Sequence, residues 1–158
     1  MNIHTAYDVM REYMITGAEL DGLYQIPMLD RYTGRPGEDT VDFKDSFSPK
    51  IKNHRKLTVN FYIHDCEFEK IWNNPDRYLE HLKCFHSVIG PDFSMSVGQN
   101  GMPFAMNIWQ KYRNHALSHY LSMNGIRVIP NVNIPPEYCF NWAFDGMPQR
   151  STVACCTN

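Results

Sequence analysis

The residues of this chain best suited to chemistry come as polar pairs at the ends of short apolar runs. His64-Asp65 follows Leu57-Thr58-Val59-Asn60-Phe61-Tyr62-Ile63, and Asp92 and Ser94 follow Ser87-Val88-Ile89-Gly90-Pro91. Asn131 and Asn133 follow Ile126-Arg127-Val128-Ile129-Pro130, and Thr157-Asn158 follows Thr152-Val153-Ala154-Cys155-Cys156. If the runs are parallel strands, their C-terminal ends share one edge of a sheet, which is where such folds place ligands. Asp65 and Asp92 then face one site as a pair of carboxylates. Such a pair can hold a divalent cation through oxygen, or divide into acid and base by unequal burial. Asp65, Asp92 and Ser94 are therefore the expected catalytic centre, with His64 and Asn131 as ligand contacts.

Anionic groups on a ligand need cations. Arg113 offers a planar fork for phosphate or carboxylate, and Lys52 and Arg55 belong to the one basic cluster, Lys50 to Lys56. Each of these residues also has a plainer role: Asp65 caps a helix, Ser94 closes a turn, Arg113 pairs with a surface acid, and the basic run is a solvated approach to a strand.

Other chemistries find less footing. His115 and His119 stand at zinc spacing, but the Glu of His-Glu-x-x-His is absent and no third ligand is evident. No residue is assigned to a metal, and a divalent cation is the one cofactor the carboxylates invite. There is neither a Gly-x-Gly-x-x-Gly after a strand nor a Gly-Lys-Ser/Thr. The cysteines show no His and Asp arrangement that would make a nucleophile.

The elements that must position these residues follow from periodicity. Residues 57–63 read as the clearest strand, and strands are also expected at 88–89, 126–129 and 152–156. Helical spacing runs through 67–83, broken at Asn74-Pro75, where Asn74 suits an N-cap and Pro75 a first helical position. The longest helix is expected over 103–124, with Ala105, Ile108, Trp109, Tyr112, Ala116, Tyr120 and Met123 on its apolar face and Asn124-Gly125 as its stop. A short helix is expected over 3–15, with Thr5 as N-cap and Ala6 and Val9 on its apolar face, and another helix or turn over 136–144. Residues 20–29 look extended but peripheral, because Pro27 cannot donate to a ladder. Residues 30–49, around Gly34-Arg35-Pro36-Gly37, read as a long Gly/Pro-rich loop, a flap or a disordered segment. Strands alternating with helices predict an α/β fold, a mostly parallel sheet of about four strands flanked by helices, with a partial barrel as the alternative arrangement.

The 158 residues suit a single domain spanning 1–158. A net charge of -2 gives no global attraction to nucleic acid or to anionic membranes. Five cysteines without a Cys-x-x-Cys favour reduced thiols in a cytoplasm. No apolar run approaches the roughly twenty residues of a membrane span. The 13% aromatic content is high enough to place some rings on a surface or in a pocket.

Several short motifs in a fixed order add a resemblance. They are His64-Asp65-x-Glu67-Phe68-Glu69-x-Ile71-Trp72-x-Asn74-Pro75, Pro91-Asp92-Phe93-Ser94, Met102-Pro103 with Ile108-Trp109 and Tyr112-Arg113-Asn114, Gly125-Ile126-x-Val128-Ile129-Pro130-Asn131, Phe144-Asp145-Gly146-x-Pro148 and Ser151-Thr152-Val153-Ala154. Over about residues 57–156 this order resembles the domain of unknown function 4417 family, which looks phage- and prophage-borne. The resemblance implies a protein of a bacterial host cell encoded by phage or prophage, and it brings no established activity. Val132-Asn133-Ile134 departs from the aromatic and polar residues that the family tends to carry after the third strand. The family commonly continues past the last strand, so this chain looks short at its C-terminus.

Together these observations predict a phage-associated α/β protein that binds or hydrolyses a phosphate-bearing small molecule or nucleotide at the C-terminal edge of its sheet. The competing expectation is a non-enzymatic accessory protein that uses surface aromatics to bind a host or phage protein partner. Nucleic-acid handling through the basic cluster is the weakest of the three.

Overall fold

A computed structural model describes residues 8, 10–98, 100–133 and 136–156. Its centre is a four-stranded parallel sheet formed by β3 (Asp39–Asp42), β4 (Leu57–Asn60), β5 (Ser87–Ile89) and β6 (Val128–Ile129), adjacent in that order. A parallel bridge between Asn131 and Ala154 extends it beyond β6. Sheet order equals chain order, so right-handed crossovers put every connecting helix on the same face. That face carries α1 (Asp65–Asn73), α2 (Asp76–Leu82) and α3 (Phe104–Met123). The sheet remains open rather than closing into a barrel, and the architecture is α/β as expected.

Alternation along the strands sorts their side chains onto two faces. Val41, Val59 and Val88 point to the helices and join Phe61, Phe68, Ile71, Leu82, Phe93, Leu117 and Leu121 in the main core. Phe61, Phe68 and Phe93 are fully buried, and each such side chain stabilises the fold by roughly 1.5–3 kcal/mol. The opposite face carries Thr58 and Ser87, whose hydroxyls bond at 2.8 Å, and Ile89 and Ile129, which pack on Tyr32. Parallel strands covered on both sides need this continuous burial.

The cover over the second face comes from residues expected to form a flap. Tyr32 accepts a backbone bond from Thr152 and donates its hydroxyl to the Arg35 carbonyl at 2.8 Å, and β3 lies in the same 30–49 stretch. Asp39-Thr40-Val41-Asp42 has one apolar residue and pairs on one side only, so its membership in the sheet comes from β4 rather than from its own pattern. The expected strand at 152–156 contracts to the bridge at Ala154, since β6 is only two residues long. Residues 20–29 form a two-stranded antiparallel ribbon, β1 (Leu20–Asp21) with β2 (Ile26–Pro27), in which Pro27 takes an edge. Of the helix expected at 3–15, a 3-10 turn over Glu12–Ile15 is present, while Thr5, Ala6 and Val9 lie outside the described residues. Residues 136–144 carry a 3-10 turn over Glu137–Cys139 followed by α4 (Phe140–Ala143). Helix α2 begins after Pro75, and Gly125, at φ +82°, ends α3 in the left-handed conformation.

Candidate functional site

The Pro91–Ser94 turn after β5 is held from three sides. From α3, Asn114 accepts the Phe93 N–H at 2.7 Å and donates to the Phe93 carbonyl at 3.3 Å. From the start of α1, Asp65 accepts the Ser94 N–H at 3.1 Å and its hydroxyl at 2.8 Å. From the end of β6, Asn131 donates to Asp92 Oδ1 at 2.9 Å. Asn131 in turn accepts the Tyr62 hydroxyl at 2.9 Å, so strand ends β4, β5 and β6 are joined by one polar chain, Tyr62–Asn131–Asp92. Burial pushes the Asp92 carboxyl up from its ordinary range, against the opposing bonds from Asn131 and Asn133, and the Asp65 charge adds to the rise.

This arrangement borders an open cleft of about 410 Å³ lined by Lys44, Tyr62, His64, Glu67, Asp92 and Ser94, with Cys156 at its rim. The sheet edge therefore gathers His64, Asp92 and Ser94 at one cleft, while Asp65 stands behind Ser94 with both carboxylate oxygens bonded to it. Lys44, from the loop after β3, meets Glu67 at 2.7 Å across the cleft mouth. Thr157 and Asn158, expected at the same edge, lie outside the described residues.

The other expected cations are elsewhere. Arg113 packs its guanidinium on the Phe93 ring, 3.6 Å from its centroid, and bonds Glu69 at 2.5 Å and Gln110 at 3.1 Å. It supports the turn from behind and does not line the cleft. Lys52 and Arg55 precede β4, so a full strand length separates them from the C-terminal edge; they are exposed, at the opposite end of the sheet. His115 and His119 face different partners, the Pro27 carbonyl at 2.8 Å and the Thr16 carbonyl at 3.5 Å. Among the described residues no cluster of three or more His, Cys, Asp or Glu is placed to hold a metal ion. All five cysteines are free thiols.

What sequence reading missed lies on α3. The helix buries a polar stripe: Asn107, Lys111, Asn114, His115 and Ser118 are each less than a tenth exposed, whereas Ala105 and Met123, expected on the buried face, are exposed. The stripe tracks the segment after β5. Asn107 bonds both the N–H and the carbonyl of Ser96, Asn114 does the same for Phe93, and Ser118 lies against Gly90, where a Cβ would fall 2.6 Å from its hydroxyl. The spacing of seven from Asn107 to Asn114 and four to Ser118 is helical and was visible in the sequence. An apolar period runs beside it and draws attention first.

The same stripe delivers Lys111 and His115 to a second, smaller cavity of about 130 Å³ beyond Asn131, bounded by Met95, Asn133, Trp142 and Met147. Lys111 Nζ donates to the Ala143 carbonyl at 2.8 Å and meets His115 Nε2 at 3.2 Å. The Asp145-Gly146 turn closes this side. Gly146, at φ +73°, is required there, because a Cβ would fall 2.5 Å from the Pro27 carbonyl and 2.8 Å from His115 Nδ1.

Several motifs of the sequence thus meet around the Pro91–Ser94 turn: His64, Asp92 and Ser94 line the first cleft, Asp65, Arg113 and Asn114 hold the turn from behind, and Asn131, expected as a ligand contact there, bonds Asp92 but lines the second cavity. The chain is 35% identical over 96 residues to the "Gene 1 protein" of Mycobacterium phage L5, covering 61% of this chain and 41% of that protein. It is 32% identical over 96 residues to the "Gene 1 protein" of Mycobacterium phage D29, covering 61% of this chain and 34% of that protein. The matched part is less than half the length of these curated relatives. No solved structure matches. Among the described residues no helix is long and apolar enough to cross a membrane. With residues 18–158 matching its domain of unknown function, and phage proteins as relatives, the chain belongs to the phage-associated DUF4417 family.

Proposed function

We propose that this chain binds a small polar molecule, nucleotide-sized or smaller, in the cleft at the C-terminal edge of its sheet. The observation that carries this reading is the hydrogen-bonded chain Tyr62–Asn131–Asp92, which ties three strand ends into one wall of a 410 Å³ cleft. The volume falls in the usual range of small-ligand sites. Polar groups fixed by their neighbours, as Asp92 is by Asn131, select a ligand by hydrogen bonding at little cost in side-chain entropy.

Lys44 and His64 are the lining residues that would meet a phosphate, while Asp92 and Ser94 would meet hydroxyl or amino groups. With Arg113, Lys52 and Arg55 placed elsewhere, the cleft holds one lysine against Glu67 and Asp92. Its charge therefore favours a ligand with no more than one phosphate, such as a nucleoside monophosphate. Binding is preferred to hydrolysis because Ser94 is bonded to Asp65 through both its N–H and its hydroxyl. Should hydrolysis occur, Asp92 is the group suited to give a proton to a leaving oxygen, since its raised pKa keeps it protonated to higher pH.

The test is a thermal-shift series with nucleoside mono- and triphosphates, inorganic phosphate and Mg²⁺ on wild type, Asp92→Ala and Lys44→Ala. A monophosphate that raises the wild-type Tm and loses the effect in both variants supports the reading. A shift of undiminished size in Asp92→Ala excludes this cleft.

A protein partner is the second reading. Phe104, Tyr138, Phe140 and Phe144 are exposed around α4, with Phe140 and Phe144 5.4 Å apart and Phe104 against Trp142 at 5.5 Å. Exposed aromatics clustered in this way are typical of contact surfaces.

A further inference from the structure

We propose that Lys111 is a reactive amine that condenses with a small aldehyde or 2-oxo acid entering the 130 Å³ cavity between α3, the end of β6 and α4. This site is separate from the cleft of the preceding section, with Asn131 between the two, and it does not depend on that reading.

The geometry begins with His115. A carbonyl oxygen only accepts, so the 2.8 Å contact with Pro27 requires the proton on Nδ1. Nε2 is then an acceptor, and Lys111 must donate to it across 3.2 Å. A second Lys111 proton goes to the Ala143 carbonyl at 2.8 Å. A neutral amine has two N–H bonds and one lone pair, so both hydrogens are used and the lone pair occupies the one position with no partner among the described residues. Lys111 lines the cavity yet is only 4% exposed.

The contrast with the other lysines is direct. Lys44, Lys56 and Lys83 each touch a glutamate at 2.6–3.0 Å and Lys50 and Lys52 are exposed, whereas Lys111 is buried with no carboxylate within hydrogen-bonding distance among the described residues. Burial lowers its pKa from 10.5 to about 8, with Asp145 and Asp21 opposing the fall through space. His115, buried beside it, is pushed well below the usual histidine range and stays neutral. The charged and titratable groups around the amine are therefore His115 on its own helix, Asp21 on β1 and Asp145 after α4, whose Oδ2 is buried without a partner.

The step balances without a further reagent. The Nζ lone pair adds to the carbonyl carbon and one nitrogen proton moves to the former carbonyl oxygen, giving a carbinolamine; the second nitrogen proton follows, the C–O bond breaks, and the oxygen leaves as water to give a neutral imine. His115 is a positioning residue here, because it orients the amine rather than touching the carbonyl. A cavity of about 130 Å³ suits a carbonyl compound of a few heavy atoms. Asn114, which gives one amide N–H to the Phe93 carbonyl, keeps a second N–H for a carboxylate on it.

Glyoxylate with cyanoborohydride is the probe, read by intact mass and peptide mapping on wild type, Lys111→Arg and His115→Gln. At pH 7.5 about a quarter of a lysine with pKa 8 is unprotonated, against about a thousandth for an exposed one, so Lys111 should be labelled on the order of 10²-fold faster than Lys50. That selectivity should shrink to a few fold at pH 10.5, and be absent in Lys111→Arg. Labelling of Lys50 and Lys52 ahead of Lys111 at pH 7.5, on protein whose circular dichroism shows it folded, overturns the proposal. So does a Lys111 preference of unchanged size at pH 10.5. Retention of the Tm shift by nucleoside monophosphate in Lys111→Arg would show that the two sites are independent.

Discussion

Replacing Lys111 by Met should alter how stability depends on pH, with a sign and size that follow from its burial. In the folded protein the amine titrates at about 8, and in the unfolded chain near 10.5. Between these values the unfolded chain holds a proton that the folded chain has released. Stability therefore rises with pH across this window, and the penalty for burying the charge is fully present below pH 8. At 1.36 kcal/mol per unit the full penalty is about 3 kcal/mol, of which about 2 kcal/mol is relieved between pH 7.5 and 10. The absolute effect of Lys111→Met at pH 7 is less informative. Removing the amine abolishes that penalty but leaves His115 Nε2 and the Ala143 carbonyl without a donor, at about 1–3 kcal/mol each, so two terms of similar size oppose one another. The pH slope is free of this cancellation. Tyr13 and Tyr112, whose pKa values burial raises, cost stability only above pH 10 and do so in both proteins. Urea unfolding at pH 7.5, 8.5, 9.5 and 10 should show wild type gaining about 2 kcal/mol relative to Lys111→Met. Two parallel pH profiles, agreeing within about 0.5 kcal/mol, would show that Lys111 titrates as an ordinary solvated lysine and refute the reasoning.

Two other substitutions probe the turn after β5. Asn114→Ala strands the N–H and carbonyl of the fully buried Phe93 and should cost about 2–5 kcal/mol in denaturant unfolding; a loss under about 1 kcal/mol would mean that water or a shifted backbone replaces both bonds. Asp92 has a raised pKa, so the folded state keeps its proton longer than the unfolded one and stability contributed by this group declines as pH rises from about 4 through the folded value. Asp92→Asn should remove that decline and leave stability at pH 7 equal to or above wild type, which a Tm series from pH 4 to 7 would register; a Tm at pH 7 well below wild type would contradict it.

Much of the architecture was legible in the chain because it is written in local periodicity. Leu57–Asn60 and Val88-Ile89 are buried on both faces of a parallel sheet and so read as apolar, β-branched runs; α3 announces itself by length and by its Gly125 stop. The polar strand ends follow from the same logic, since a parallel sheet must deliver the residues after Ile63, Ile89 and Ile129 to one edge. Tertiary contact decided the rest. Asp39–Asp42 is a strand because β4 offers it a hydrogen-bonding edge, and the stretch around Tyr32 covers the sheet because Ile89 and Ile129 need burial. Arg113 looked like an anion contact, yet the aromatic ring of Phe93 and the Glu69 carboxylate draw it behind the turn. Lys111 is the sharpest case. Nothing in Gln110-Lys111-Tyr112 distinguishes it from a solvated lysine, because the burial that lowers its pKa and the bonds that orient it come from Ala143, Pro27 and His115, groups that only the fold brings together.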